Sequence, residues 1–161
     1  MNIVQLCQIL FVALIGAFAL LVALNNVRDP QSNLRLVEHV LGMDSVLPDT
    51  RLKSRAILSP AAQRAAFWLL VAAEAVSAVL CLYGAALLAG KLGSPPAEFH
   101  AAKGFAFAGL GLGFAVWFGG FMVIGGQWFA SWQSKQWSGR ESAFMFYSAI
   151  GIAFLALLHQ A

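Results

Sequence analysis

Four long apolar segments constrain the fold of this chain more than any other feature. Only 11% of the residues are charged and 60% are hydrophobic, a composition typical of integral membrane proteins. A helix of about 20 apolar residues crosses the hydrocarbon core of a bilayer. We therefore predict an all-α, multi-pass four-helix bundle that forms a single transmembrane domain over residues 1–161. The predicted spans cover residues 2–24, 61–90, 101–126 and 141–159.

A short amphipathic helix is predicted between the first two spans. The first span is expected to end at Asn25 and Asn26, just before an Asp-Pro pair that disfavours helical backbone. Apolar residues then recur at helical spacing, with Ser32 as a candidate N-cap and Gly42 as the end. This pattern predicts an amphipathic helix over about 33–41 that lies in the membrane interface.

Glu74 is a lone carboxylate near the middle of the second apolar segment. Acidic residues at such depth are costly, usually face the bundle interior and pair with another group, which makes Glu74 a candidate functional residue. Ser77 shares its helix face. No Lys, Arg or His lies at matching depth in the other spans, so we expect a protonated carboxyl whose neighbour is a hydroxyl. Tyr147 and Ser148 are the candidates. The carboxyl therefore either binds a proton or cation in a transporter, or links two helices by a hydrogen bond.

Tryptophans and glutamines alternate after the third span, which is expected to end at Gly125 and Gly126. Trp128 and Trp132 are four residues apart and would share a helix face, on which a quinone headgroup, a lipid or a partner could stack. An aromatic belt at the membrane boundary is the alternative. Because the first and third loops lie on the same side of the membrane, we expect a polar cap above Glu74. Its predicted members are Asn25, Asn26, His39, Asp44, Gln127 and Trp128.

Gly109 and Gly113 form a small-x-x-x-small pair in the third span. Such pairs let two helix backbones approach closely in lipid. The partner is either a helix of the same chain or a second membrane protein.

Several classes of function are not expected. The net charge of +3 is spread over the loops, which indicates contacts with lipid headgroups rather than nucleic acid. Cys7 and Cys81 lie within apolar helices and have no metal-ligand spacing. The three histidines are separated, so neither haem nor a metal is expected. The sequence also lacks familiar catalytic motifs, so we expect no enzymatic activity.

Several short motifs resemble a bacterial family known only as predicted small integral membrane proteins of unknown function. They include EHVLGMD at 38–44, WFGGF at 117–121, GGQWF at 125–129 and WQS at 132–134. The resemblance covers nearly the whole chain and implies a four-helix protein of the bacterial inner membrane. It also implies that the first and third loops are periplasmic, whereas the distribution of Lys and Arg places them in the cytoplasm.

The preferred interpretation is an accessory or scaffold protein that associates with a larger membrane assembly, or with copies of itself. The alternative is a small proton-linked transporter, or a protein that binds lipid or quinone, with Glu74 at its centre.

Overall fold

The computed structural model describes residues 2–159, and these residues are helical with short connections. The helices are α1 (Ile3–Arg28), α2 (Pro30–Gly42), α3 (Pro60–Ala89), α4 (Pro96–Ala101), α5 (Gly104–Trp128) and α6 (Arg140–Leu158), with 3₁₀ turns at Arg51–Arg55 and Ser131–Gln133. The helices α1, α3, α5 and α6 are each long and apolar enough to cross a membrane. The predicted all-α membrane bundle is thus confirmed.

Side-chain caps and prolines fix where the first and third helices begin. The Asn2 side chain accepts a hydrogen bond from the Val4 backbone N–H at 3.1 Å. The Ser59 hydroxyl accepts from the backbone N–H of Ala62 at 3.4 Å, and Pro60 follows at the first helical position. Both arrangements satisfy amide groups that have no partner within the helix.

Three predicted helix ends differ from the structure. The helix α1 continues past Asn25 and Asn26 to Arg28, because the proline that follows disfavours helical backbone only from Asp29 onward. Ser32 does not cap α2, since Pro30 already starts that helix; the Ser32 hydroxyl instead donates to the Asp29 carboxylate at 2.5 Å. The third spanning helix also passes through its predicted glycine stop and ends at Trp128.

The helices α1 and α2 run one after the other along α3 in the opposite direction. A Cβ placed on Gly16 would lie 2.9 Å from Cys81 Cβ, so the middle of α1 faces the second half of α3. Leu34 of α2 is buried against Phe67, nearer the start of α3. The apolar face predicted for α2 therefore packs lengthwise on the first half of a spanning helix.

Glycines allow α5 to pack directly on the backbone of α3. A Cβ on Gly109 would lie 2.6 Å from both the backbone nitrogen and the sulfur of Cys81, closer than side chains tolerate. A Cβ on Gly113 would lie 3.0 Å from the Ser77 hydroxyl. The structure therefore places the small-x-x-x-small pair in a contact within this chain.

The second half of α5, Ala115–Trp128, has π-helical geometry. At its end the Phe129 backbone N–H donates to the carbonyl oxygen of Ile124, five residues earlier, at 3.0 Å. Such segments are rare, usually short and frequently found at functional sites. This wider segment faces both α3 and α6 and forms one wall of a groove described below.

Candidate functional site

A chain of three side chains joins α1, α2 and α3 at Glu74. The side-chain amide of Asn26 donates to Glu74 Oε2 at 2.9 Å, and the amide of Asn33 donates to Asn26 Oδ1 at 2.6 Å. Glu74 and Asn26 are each only 2% exposed, whereas Asn33 is exposed. Hydrogen bonds therefore connect a carboxyl group in the bundle interior to a polar group on the surface.

A polar pocket of about 250 Å³ lies at the joint between α1 and α2. Its lining consists of Asn25, Asn26, Arg28, Asp29, Ser32 and Asn33. Arg28 and Asp29 are exposed, and charged groups of this kind are strongly disfavoured in hydrocarbon. The exposed charges favour a pocket that faces water or lipid headgroups, and Asn26 of its lining donates to Glu74.

Several other buried polar side chains donate to backbone carbonyl oxygens on neighbouring segments: Gln5 to Ser94, Gln8 to Ala156, Gln63 to Ile57, Ser77 to Gly109 and Lys103 to Leu157, at 2.7 to 3.2 Å. Four of these bonds fasten helix ends or loops, and the bond from Ser77 joins the middles of α3 and α5. The Glu74 chain differs because it is made of side chains and ends at a pocket.

Neither Tyr147, one of the two predicted hydroxyl neighbours of Glu74, nor Ser77 of the same helix face supplies its hydrogen bond. Tyr147 packs against the rings of Phe114, Phe118 and Phe144, with ring centroids 5.1 to 5.9 Å apart. Ser77 donates to the carbonyl oxygen of Gly109 at 2.8 Å. The expectation of a hydroxyl partner was wrong, because the extra turn of α1 brings an amide to Glu74 first.

The first and third loops do meet, as predicted for the cap, but without the two asparagines. His39 Nδ1 lies 2.6 Å from Asp44 Oδ2, and the His39 ring stacks on Trp137 with centroids 4.1 Å apart. The Arg55 guanidinium lies 4.4 Å from the ring centroid of Trp128 and donates to its carbonyl oxygen at 3.1 Å. Ring stacking, a cation–π contact and a charge-assisted hydrogen bond thus hold the loops together.

Trp128 and Trp132 do not share a helix face. The helix α5 ends at Trp128, and Ala130 then adopts a left-handed backbone conformation with φ of 53° before a separate 3₁₀ turn begins. The two indoles are 55% and 49% exposed, and Gln127 is also exposed. The single helix face on which their spacing predicted a stacking surface is therefore not formed.

The comparisons with known proteins agree with this architecture. The model of a family described as predicted small integral membrane protein (DUF2165) matches residues 4–160. The chain belongs to this family. The family description and the four apolar helices together make it a multi-pass integral membrane protein, which lies in a lipid bilayer. The searches of curated proteins and of solved structures found no significant match.

The structure assigns contacts to two residues that the sequence did not mark as site residues. Asn33 was not among the predicted site residues, because it lies on α2 and the sequence does not show how α2 aligns with Asn26 of α1. Lys103 was not among the predicted site residues either, and its charged side chain is 1% exposed. No cluster of three or more His, Cys, Asp or Glu side chains suited to a metal ion occurs within residues 2–159.

Proposed function

We propose that the protein is a small proton-linked transporter of the bacterial inner membrane, with Glu74 as its proton-binding group. One observation supports this most directly: the hydrogen-bonded chain from Glu74 through Asn26 to Asn33, which ends at the polar pocket between α1 and α2. Asn26 donates to Glu74, and the Asn33 amide extends the chain from Asn26 to the surface. The additional surface amide and the pocket supply a route by which water could reach the carboxyl group.

Protonation of Glu74 would change the contact between α1 and α3. The bond from the Asn26 amide to an ionised carboxylate is charge-assisted, and such bonds are about twice as strong as neutral ones. A proton on the carboxyl removes that advantage and loosens the end of α1. Because α2 begins two residues after Arg28, its first turn would respond to the same event. The proton would thus couple to movement of α2 along α3.

Proton exchange in proteoliposomes tests this proposal. The purified protein would be reconstituted with a pH-sensitive dye inside the vesicles, and an imposed pH gradient would then be followed. We expect the wild type to dissipate the gradient and Glu74→Gln to be inactive. Glu98→Gln is the matched control, because Glu98 is an exposed carboxylate paired with Lys91 at 3.0 Å in the second loop.

Two results would overturn the proposal. In the first, the wild type leaves the pH gradient unchanged, and its infrared spectrum shows no titrating carboxyl band that is missing from Glu74→Gln. The other is a Glu74→Gln protein that exchanges protons as fast as the wild type. Thermal unfolding of each variant shows separately whether the substitution has only weakened the fold.

An accessory role in a larger membrane assembly is the second candidate, supported by an unpartnered face of α5. Small residues recur there and are open to the surroundings: Gly104, Ala108, Gly111, Ala115 and Gly119. A Cβ on any of the three glycines would meet nothing within 4 Å. Stripes of this kind allow another spanning helix to pack closely.

Substitution on this stripe distinguishes the second candidate from the first. Gly111→Leu should release a stoichiometric partner that co-purifies with the wild type in mild detergent. Gly151→Leu is the control, because Gly151 of α6 also has open space around it but lies outside the stripe. A partner retained equally by both variants, or a wild type that purifies alone, would contradict the accessory role without affecting the proton assay.

A further inference from the structure

An apolar groove of about 300 Å³ lies between α2, α3 and the π-helical part of α5. This volume is at the lower end of the range for small-molecule sites in proteins. The groove is bounded by side chains of α2 such as Val40, by the face of α3 from Ala66 to Ala73, and by the stretch from Gly120 to Gly125. Glu74 and the polar pocket do not line it.

The position of the groove determines what kind of molecule can enter it. Two of its walls belong to helices that cross the membrane, so its opening lies beside lipid for at least part of its length. Its surface is almost entirely apolar, with the Ser138 hydroxyl group as the polar exception. Empty apolar space loses dispersion contacts, and a lipid chain is the most abundant group at hand to fill it.

A cationic group lies at the Ser138 end of the groove. Arg140 begins α6 two residues later, and a Cβ on Gly126, next to the groove residue Gly125, would lie 3.8 Å from Arg140 Nε. Within the described residues, Arg140 Nε is buried and has no hydrogen-bond partner. A buried donor without a partner is costly. Arg140 lies beside the groove without lining it, so a rotation of its side chain that brings the guanidinium group to an acceptor on a ligand would be favourable.

Two other features of this end favour an anion. Gly139, the N-cap of α6, has no side chain to bind the first amide groups of that helix, which carry partial positive charge. The neighbouring Glu141 is exposed, and among residues 2–159 no carboxylate forms an ion pair with Arg140. The positive charge at the end of the groove is therefore not neutralised by the described part of the chain.

We propose that the groove binds one acyl chain of an anionic phospholipid, whose phosphate lies at Arg140 and the start of α6. The apolar walls recognise the chain, and the arginine together with the helix amides recognises the headgroup. This site is separate from Glu74 and does not depend on the proposed transport. The lipid would hold α2 against the π-helical segment, so the first loop and α5 would move as one unit.

Native mass spectrometry in detergent tests the proposal with two added lipids, phosphatidylglycerol and phosphatidylcholine. We expect the wild type to retain one phosphatidylglycerol about tenfold more tightly than phosphatidylcholine. Ala66→Phe fills the groove and should abolish retention of both lipids. Ala65→Phe is the matched control, because Ala65 is the adjacent, exposed residue of α3. Arg140→Gln should remove the preference for phosphatidylglycerol but keep phosphatidylcholine binding.

Three outcomes would overturn the proposal. The first is equal binding of the two lipids by the wild type, and the second is equal lipid retention by Ala65→Phe and Ala66→Phe. The third is a lipid-free dimer that Ala66→Phe dissociates, because such a dimer would identify a second copy of the chain as the occupant. If Ala66→Phe does not yield folded protein, Ala73→Phe with Ala72→Phe as its control gives the same comparison on the next turns of α3.

Discussion

The Lys103 ammonium nitrogen lies 2.7 Å from the backbone carbonyl oxygen of Leu157, at the last turn of α6. The same ammonium donates to the carbonyl oxygen of His159 at 2.8 Å, and the Lys103 side chain is 1% exposed. Carbonyl groups at a helix C-terminus have no partner within the helix and carry partial negative charge. Lys103 thus links the start of α5 to the end of α6.

Removing this ammonium should destabilise the bundle. Lys103→Met keeps the length of the side chain but leaves the Leu157 carbonyl without a donor, while the His159 carbonyl keeps its bond from the Gln8 amide at 3.0 Å. This loss should lower the free energy of unfolding by about 1.5–3 kcal/mol. Lys91→Met is the control, since Lys91 forms an exposed ion pair with Glu98 and such pairs contribute at most about 1 kcal/mol. Thermal unfolding in detergent, followed by circular dichroism, measures both. Equal changes in the two variants would contradict the buried role of Lys103.

Two glycines of α5 that lie two residues apart, on opposite faces of the helix, should respond oppositely to alanine. At Gly109 the new Cβ would lie 2.6 Å from the Cys81 backbone nitrogen, so α3 and α5 must separate, and overpacking of this kind costs about 1–3 kcal/mol. At Gly111 the Cβ meets nothing within 4 Å, and alanine should stabilise the helix by up to about 1 kcal/mol. Thermal unfolding in detergent measures the change in stability of both variants. A neutral Gly109→Ala would mean that the backbones are not in contact there.

Asn26 and Tyr147 give a direct comparison of the structure with the sequence-based expectation. Asn26→Leu leaves the buried Glu74 carboxyl without its donor and should cost about 1–3 kcal/mol of unfolding free energy. Tyr147→Phe removes only a hydroxyl from a residue that contacts neighbouring rings, so we expect a change within about 0.5 kcal/mol. If Tyr147→Phe altered the infrared carboxyl band of Glu74 and Asn26→Leu did not, the Asn26 amide would not be the hydrogen-bond partner of Glu74.

These residues also show how far the sequence could predict the molecule. Long apolar runs are a direct consequence of bilayer thickness, so they predicted the spanning helices and marked Glu74 as unusual. The identity of its partner depends on where α1 ends and on how α1 and α2 align with α3. The helix continues four residues beyond the predicted span, from Asn25 to Arg28, and brings Asn26 to Glu74. Single-sequence patterns locate helix ends only to within a few residues.

The cap was harder to predict for a related reason. Its contacts depend on one backbone conformation, the left-handed Ala130, which separates Trp128 from Trp132 and lets the loop turn back. Alanine rarely adopts positive φ, so no residue preference signalled this turn. The spacing of the tryptophans instead favoured a continuous helix. Trp137, which stacks on His39, lies beyond this turn, whereas Trp128, which Arg55 contacts, lies before it.

The contact between Arg55 and Trp128 should control the mobility of the first loop. Arg55 reaches the indole ring and the carbonyl oxygen of Trp128 together, and cation–π contacts at exposed positions contribute about 0.5–1 kcal/mol. Nearby, the Gln133 side chain accepts a hydrogen bond from the Leu47 backbone N–H at 2.9 Å. Arg55→Ala should therefore speed hydrogen exchange at Leu47, because the two loops separate more often. Arg51→Ala is the control, since Arg51 is an exposed cation of the same loop. Equal exchange rates in both variants would show that the loops are held together elsewhere.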